Sequence, residues 1–387
     1  MARDIAVVSG YLVRCPLGGY AWQNLHYLLG LEALGFTSYF YEHTAYYSYC
    51  FEPRSGNMTD DPSTGVDFAR RFFGGHGFGD RWVFEDSWRG RCYGMSSDER
   101  DELFANARVW ISVAAVNSVP EARRNQRGTI FIDIDPGYTQ IQAASGDRGL
   151  LSLLHQHERH FTIGEHIGSA ACAVPSAGFP WRATRQPIAL PEWTPRSPDT
   201  SAPYSTIGRW DEQRREVAVA GQTYSWRKRT EWLKFLSLPR RTGEKFRLAM
   251  DVEKSRDDAA LLRDHGWEIV DPVAVSSDAD VYRDFICASK GEFTVAKDLN
   301  VRLRTGWFSD RAACYLAAGR PVINQETGFD AVLPPQGGVH GFRSLDEAVE
   351  VFAGVRRDYA AHCAAARRTA EEYFDAKKVL AGVVGAA

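Results

Sequence analysis

Thr305-Gly306-Trp307-Phe308-Ser309-Asp310-Arg311-Ala312-Ala313-Cys314-Tyr315-Leu316-Ala317-Ala318-Gly319-Arg320-Pro321-Val322-Ile323 reads as a loop, a helix and a strand in direct succession. Ser309 suits the helix N-cap, the alanines favour the helix interior, Gly319 fits the position just past its end, and Pro321 prevents continuation. A helix start of this kind presents free backbone N–H groups and the positive end of a dipole, a place suited to phosphate. Lys297, Arg302 and Arg304 stand just upstream, and a guanidinium fork matches phosphate oxygens. Arg302 and Arg304 alternate, which on an extended segment aims both to one side.

The same strand–helix alternation runs outward in both directions. Ile5-Ala6-Val7-Val8-Ser9 is a continuous apolar run, the pattern of a parallel strand covered on both faces. A loop with Gly18-Gly19, a helix over 22–34 and a strand over 37–41 complete one βαβ unit. Residues 44–94 are rich in Tyr, Phe and Gly with weak periodicity and read as an insertion or a set of functional loops. Strands follow at 109–116, 129–135 and 159–163, with helices at 97–106 and 149–157. The stretch 191–204 carries four prolines with Ser and Thr, a linker composition. Strands are expected again at 216–220, 246–250, 268–270, 293–297 and 320–324, with helices between them and a mostly helical tail over 344–380. The expected architecture is therefore two Rossmann-like doubly wound α/β domains, 1–193 and 206–387, joined by a Pro-rich linker at 194–205 and facing each other across a cleft.

Composition narrows the function classes. The chain has 387 residues, 44% hydrophobic and 25% charged, with a formal charge of −3. No basic footprint for nucleic acid stands out, and no apolar run is long enough for a bilayer span. Seven singly scattered cysteines, with no Cys-x-x-Cys pair, argue for a reducing cytosol and against a disulfide framework or structural zinc. The start, Met1-Ala2-Arg3-Asp4, runs straight into a strand without a charged-then-apolar leader, so a cytoplasmic protein is expected.

The loop, the helix ending Ala318-Gly319-Arg320-Pro321-Val322 and the strand after it resemble the donor-binding signature of GT-B glycosyltransferases. The stretch from Gly291 to Phe329 looks like the C-terminal domain of a bacterial branch of nucleotide-sugar-dependent transferases. The resemblance extends over most of the chain, through Asp135-Pro136-Gly137-Tyr138 and Gly221 to Lys228. It implies a GT-B fold with a long C-terminal helix, a nucleotide-diphosphate sugar as substrate, a small-molecule acceptor, and no separate cofactor. The chain departs from the retaining branch, whose paired glutamates fall here at Gly306 and Cys314. Asp310, one turn before Cys314, is the expected substitute at the ribose. Retaining and inverting chemistry both stay open.

The resemblance assigns Arg227, Lys228, Arg304 and Ser309 to donor phosphate, and Gln325, Glu326 and Thr327, at the end of a strand, to the transferred sugar. Gly18 and Gly19 are read as an acceptor loop approaching the reaction centre. Asp135, before Pro136-Gly137 at a strand end, is the first choice of general base, with Glu165 and His166 next. An Asx turn closing its own loop is an equal reading of Asp135. No metal is expected, because Asp133-Ile134-Asp135, which has the Asp-x-Asp spacing, lies inside an Ile-rich strand of the first half and not in a loop. A sugar-nucleotide 2-epimerase of the same architecture and a non-catalytic sugar-nucleotide-binding protein are the competing readings.

Overall fold

The apolar run Ile5–Ser9 is buried along almost its whole length and lies inside an eight-stranded sheet. In the computed structural model, which describes residues 3–44, 49–124, 126–212, 215–333 and 338–385, that sheet runs Trp181–Ala183, Arg159–Thr162, Thr129–Asp133, Ala107–Val113, Ile5–Ser9, Thr37–Thr44, Trp82–Asp86, Arg91–Gly94. Every neighbouring pair is parallel except the last, where Arg91–Gly94 runs back against Trp82–Asp86. The second sheet has six strands, all parallel, in the order Trp267–Val270, Phe246–Met250, Tyr204–Gly208, Gly291–Thr294, Val322–Gln325, Val339–Phe342. Helices cover both sheets, which is why the central strands carry apolar residues on both faces.

Four expectations change. Helix Gly18–Ala33 starts four residues earlier than its apolar periodicity suggests, so Gly18 and Gly19 lie in its first turn and not in a loop. Their smallness serves contact between the halves: a Cβ on Gly18 would stand 2.6 Å from Tyr282 Cβ and 3.0 Å from the Asp278 carbonyl oxygen. Beside them the Trp22 indole donates to the Ala279 carbonyl at 2.7 Å.

Residues 44–94 are largely regular. They hold the hairpin Cys50–Glu52 with Asn57–Thr59, the helix Ser63–Gly75 and two strands of the first sheet. Phe68, Phe72, Phe73, Trp82 and Phe84 are core residues, while Tyr46 and Tyr47 lie outside the described residues.

The second sheet opens at Tyr204–Gly208, whose first two residues fall in the expected linker, and the expected strand at 216–220 is a separate hairpin of Val217–Val219 with Gln222–Tyr224. The strand was hidden by Ser205 and Thr206, polar residues buried by hydrogen bonds to Ser289, Tyr315 and Glu292. Finally, Arg302 ends a short helix, Asp298–Arg302, and Arg304 has a φ of 49°, so the two do not share an extended face.

The tail forms helices Leu345–Arg357, Tyr359–Tyr373 and Ala376–Val384. The last crosses back to the first half. Ile188 N–H donates to the Phe374 carbonyl at 2.7 Å, Ala376 N–H to the Ile188 carbonyl at 2.9 Å, and the Arg159 guanidinium to the Val383 carbonyl at 3.0 Å. The unit read as 206–387 thus gives its final helix to the first.

Asp258 ties the hairpin region of the second half to its core. It accepts from Arg229 Nε and a terminal guanidinium nitrogen at 2.6 and 2.7 Å, and from the Trp210 indole at 2.9 Å. The Arg229 hydrogen bonds hold its carboxyl down at about 2. Its stabilisation is present above pH 4 and is lost as pH falls toward 2. Asp258→Asn is therefore expected to cost about 2 kcal/mol at pH 7 and to flatten the acid limb of a urea-unfolding profile between pH 4 and 2.

Candidate active site

Ser309 caps the helix Asp310–Ala317, its hydroxyl accepting from Ala312 N–H at 3.0 Å. The next two residues bring charge to the same helix start. Burial pushes the Asp310 carboxyl up. The Arg311 guanidinium is spread over three acceptors: the Glu292 carboxylate, the Ile207 carbonyl at 2.7 Å and the Thr294 hydroxyl at 3.1 Å. A cation in the first helical turn opposes the dipole, and the fully buried Glu292 offsets it. The second oxygen of Glu292 is buried without a hydrogen-bond partner.

More cations surround this helix end. Lys228, at the N-cap of helix Arg229–Leu233, has its ammonium 5.4 Å from the Trp307 ring centroid. It has no carboxylate partner within 4.0 Å among the described residues. Burial, followed by repulsion from Arg311 and Lys297, lowers it to about 7. Lys297 sits 3.3 Å from the Trp226 ring centroid and 3.5 Å from Glu212, and burial lowers it to about 8 against the attraction of Asp135 and Glu212. Arg215 stacks on Tyr138 and Trp226, 4.3 and 4.9 Å from their centroids, and lies 3.2 Å from Asp135. The site is thus a cationic group of the second half, met by one carboxylate of the first.

Two of the cations, Arg215 and Arg311, had no signal in the sequence. Arg311 is recognisable only through Glu292, nineteen positions earlier in the chain.

The other assigned residues stand as follows. Asp133, not Asp135, closes the turn after strand Thr129–Asp133: it accepts from Thr139, Gln140, Thr162 and the Asp135 N–H. The Asx-turn reading of Asp135 is thereby overturned, and its carboxylate reaches Arg215. Arg227 lies 3.5 Å from Asp211. Glu165 is held in a two-pronged pair with Arg185 at 2.7 and 3.0 Å, and burial raises its carboxyl.

The His166 ring is buried, its Nδ1 3.0 Å from the Arg304 carbonyl, and His166 N–H donates to Thr305 at 3.1 Å. These residues pack the halves together at 164–166 against 304–307 and do not face the cations as free groups. Arg304 itself is half-exposed, 4.0 Å from Asp330.

Gln325, Glu326 and Thr327 are buried with their polar atoms used internally. Gln325 donates to Glu231 at 2.6 Å and accepts from Ala296 N–H, Thr327 donates to the Trp307 carbonyl, and Glu326 accepts from Gly328 N–H. They shape the strand end and are not presented as sugar contacts.

Glu42, which the sequence reading passed over, organises the loop after the first strand. It is fully buried and accepts from the backbone N–H groups of Leu12, Val13 and Arg14 at 2.8, 2.6 and 3.0 Å, and from Arg14 Nε at 3.1 Å. Asn117 holds the same loop through Ser9 and Gly10. Its signal was available: a lone carboxylate in the apolar strand Thr37–Thr44.

Two cavities, of about 380 and 410 Å³, open on the first half, the larger of the two reaching Ser277 of the second. Neither is lined by the cationic group. Among the described residues no group of three or more His, Cys, Asp or Glu is placed to hold a metal, and no helix is long and apolar enough to cross a membrane.

With this geometry in view, the whole chain superimposes on solved glycosyltransferases. An α-glucosyltransferase in complex with UDP-glucose and DNA containing an abasic site matches with a TM-score of 0.60 at 8% identity, covering 100% of this chain and 99% of that one. AviGT4, a glycosyltransferase involved in avilamycin A biosynthesis, matches with a TM-score of 0.53 at 12% identity, covering 99% and 96%. The chain has the GT-B fold. No family model matches the sequence, and no curated protein does.

Gly306 and Cys314, where the resemblance would place the paired glutamates of the retaining branch, are each enclosed by the first half. Gly306 has a φ of 75°, and a Cβ there would stand 3.0 and 3.1 Å from the backbone nitrogens of His166 and Glu165. The contact between the halves therefore excludes a side chain at that position. Cys314 is buried against the first-half His26, its Sγ 3.8 Å from Nε2.

Proposed function

We propose that the protein transfers a sugar from a nucleotide-diphosphate donor to a hydroxyl of a small-molecule acceptor, without a metal ion. The observation that carries this reading is Lys228: a half-buried ammonium with no carboxylate partner, beside Lys297, Arg311 and the capped start of helix Asp310–Ala317. A partly buried ammonium without a carboxylate of its own, beside two further cations, favours a dense anion, and a diphosphate supplies one. The developing negative charge of the departing diphosphate falls on Lys228, Lys297 and the free amides of that helix end, so their stabilisation grows as the sugar–phosphate bond breaks. Asp135, carried by the first half, takes the proton of the acceptor hydroxyl. Asp310 lies in the first turn of the same helix and serves the ribose. The UDP-glucose bound by the α-glucosyltransferase of the same fold supports this class of donor.

The seven cysteines are all free, which fits a cytoplasmic enzyme of natural-product or glycan-precursor assembly. A formal charge of −3 favours a small acceptor over nucleic acid.

The test is release of nucleoside diphosphate from a panel of nucleotide sugars, with and without a mixture of hydroxyl acceptors. Acceptor-dependent release from one donor is the expected result. Conversion of the sugar nucleotide in the absence of any acceptor would show an epimerase instead, and binding without turnover a non-catalytic protein.

A further inference from the structure

Asp135 has one side-chain partner among the described residues, Arg215 at 3.2 Å, and the two belong to opposite halves of the fold. The pair is partly open to solvent, 39% for the carboxylate and 35% for the guanidinium. Its members differ in how firmly they are held. Arg215 lies against the rings of Tyr138 and Trp226, which pack on each other with centroids 4.9 Å apart and give it an aromatic platform. The Asp135 carboxylate takes no part in closing its own turn, where the side-chain acceptors are Asp133 and Gln140. Lys297, its ammonium 3.3 Å from the Trp226 ring centroid, also feels Asp135 as its largest attractive charge. A first-half carboxylate therefore stands against the cations that the donor diphosphate needs.

Resting on the donor reading above, we infer that Asp135 and the donor diphosphate compete for Arg215 and Lys297, and that the seated diphosphate frees Asp135 to act as the base. A diphosphate carries more charge than one carboxylate and offers several oxygens to the guanidinium fork, so it wins the exchange. Donor binding would then precede productive acceptor binding, because the base is occupied until the donor arrives. In the step that follows, the acceptor O–H proton passes to the freed Asp135, the acceptor oxygen bonds to the sugar's anomeric carbon, and the bond from that carbon to the phosphate oxygen breaks. Its electron pair leaves on the diphosphate.

The competition makes a prediction that neither a plain base nor a structural ion pair makes. Asp135→Asn is expected to bind UDP and inorganic pyrophosphate about fivefold more tightly than the native protein, since an exposed competitor of this kind contributes a modest amount. Sugar transfer in the same variant is expected to fall about 10²–10⁴-fold. Arg215→Gln reads the contest from the other side: UDP binding weakens about fivefold, and adding Asp135→Asn to it yields less gain than in the native background. Native protein that binds UDP, together with an Asp135→Asn variant that binds it equally or more weakly, would overturn the competition while leaving the donor site intact. If the Asn variant fails to fold, an Arg215→Gln protein with undiminished UDP affinity overturns it as well. A native protein that binds neither UDP, GDP, ADP, TDP nor pyrophosphate would instead remove the donor reading on which this rests.

Discussion

Lys228→Met is expected to lose about a hundredfold in nucleoside-diphosphate affinity, about 2.7 kcal/mol, while its resistance to urea at pH 7 stays level or rises. The two effects have one origin. The half-buried ammonium stands beside Arg311 and Lys297 with no carboxylate within 4.0 Å among the described residues, so the fold bears a cost of charge that a ligand offsets. Methionine keeps much of the stem's length and its contact with Trp307 without the charge.

The sign with pH follows from the same group. In the unfolded chain the amine stays protonated to about 10.4, but in the fold it is lowered to about 7. Between these values the unfolded state holds the extra proton, so native stability gains on that of Lys228→Met as pH rises. The variant's advantage is largest at or below pH 7 and closes toward pH 10. Urea titrations of both proteins at pH 7 and 9 measure it. A variant that is less stable at both, by the same margin, would show that Lys228 is a packing residue.

Glu42→Ala is expected to lower unfolding stability by about 3–5 kcal/mol, the second large effect. One carboxylate satisfies three backbone N–H groups and the Arg14 side chain in a place with no access to water. Alanine strands the three backbone N–H groups, while Arg14 keeps Val116 and Asn117 as acceptors, and the loop from Gly10 to Cys15, at the end of the central strand Ile5–Ser9, loses its carboxylate anchor. Glu42→Gln keeps one acceptor oxygen and turns an amide donor on the remaining N–H groups, so it recovers only part of the loss. Denaturant unfolding of the three proteins measures the series; an alanine variant within 1 kcal/mol of native would mean that solvent reaches the loop.

The parts of the fold that were legible in the sequence are those made by local pattern. Ile5–Ser9, Thr129–Asp133, Phe246–Met250 and the helix capped by Ser309 announce themselves through unbroken apolar runs or through a cap, an alanine-rich interior and a terminating glycine. Where tertiary bonds replace that pattern the reading fails. Tyr204–Gly208 is the third of six strands in its sheet, yet Ser205 and Thr206 make it look like linker because their partners lie far along the chain.

The site divides the same way. Lys228, Ser309, Asp310 and Asp135 stand at element ends, where position alone suggests a role, and the structure gathers them in one region. Gln325 and Thr327 also stand at a strand end, but Glu231 and the Trp307 carbonyl take up their polar atoms. Arg311 and Arg215 carry no local mark, since what fixes them is Glu292 on a neighbouring strand and a pair of aromatic rings.

Calorimetric titration of UDP, GDP, ADP and TDP at pH 8, in buffers of differing ionisation heat, tests most directly whether the second half's sequestered ammonium receives a diphosphate. An amine resting near 7 is mostly neutral at that pH, and the bound, fully ionised diphosphate restores its charge. One of the four nucleotides is expected to bind with uptake of close to one proton, and Lys228→Met to abolish the uptake together with most of the affinity. Binding of equal strength in both proteins, with no proton exchanged, would contradict it.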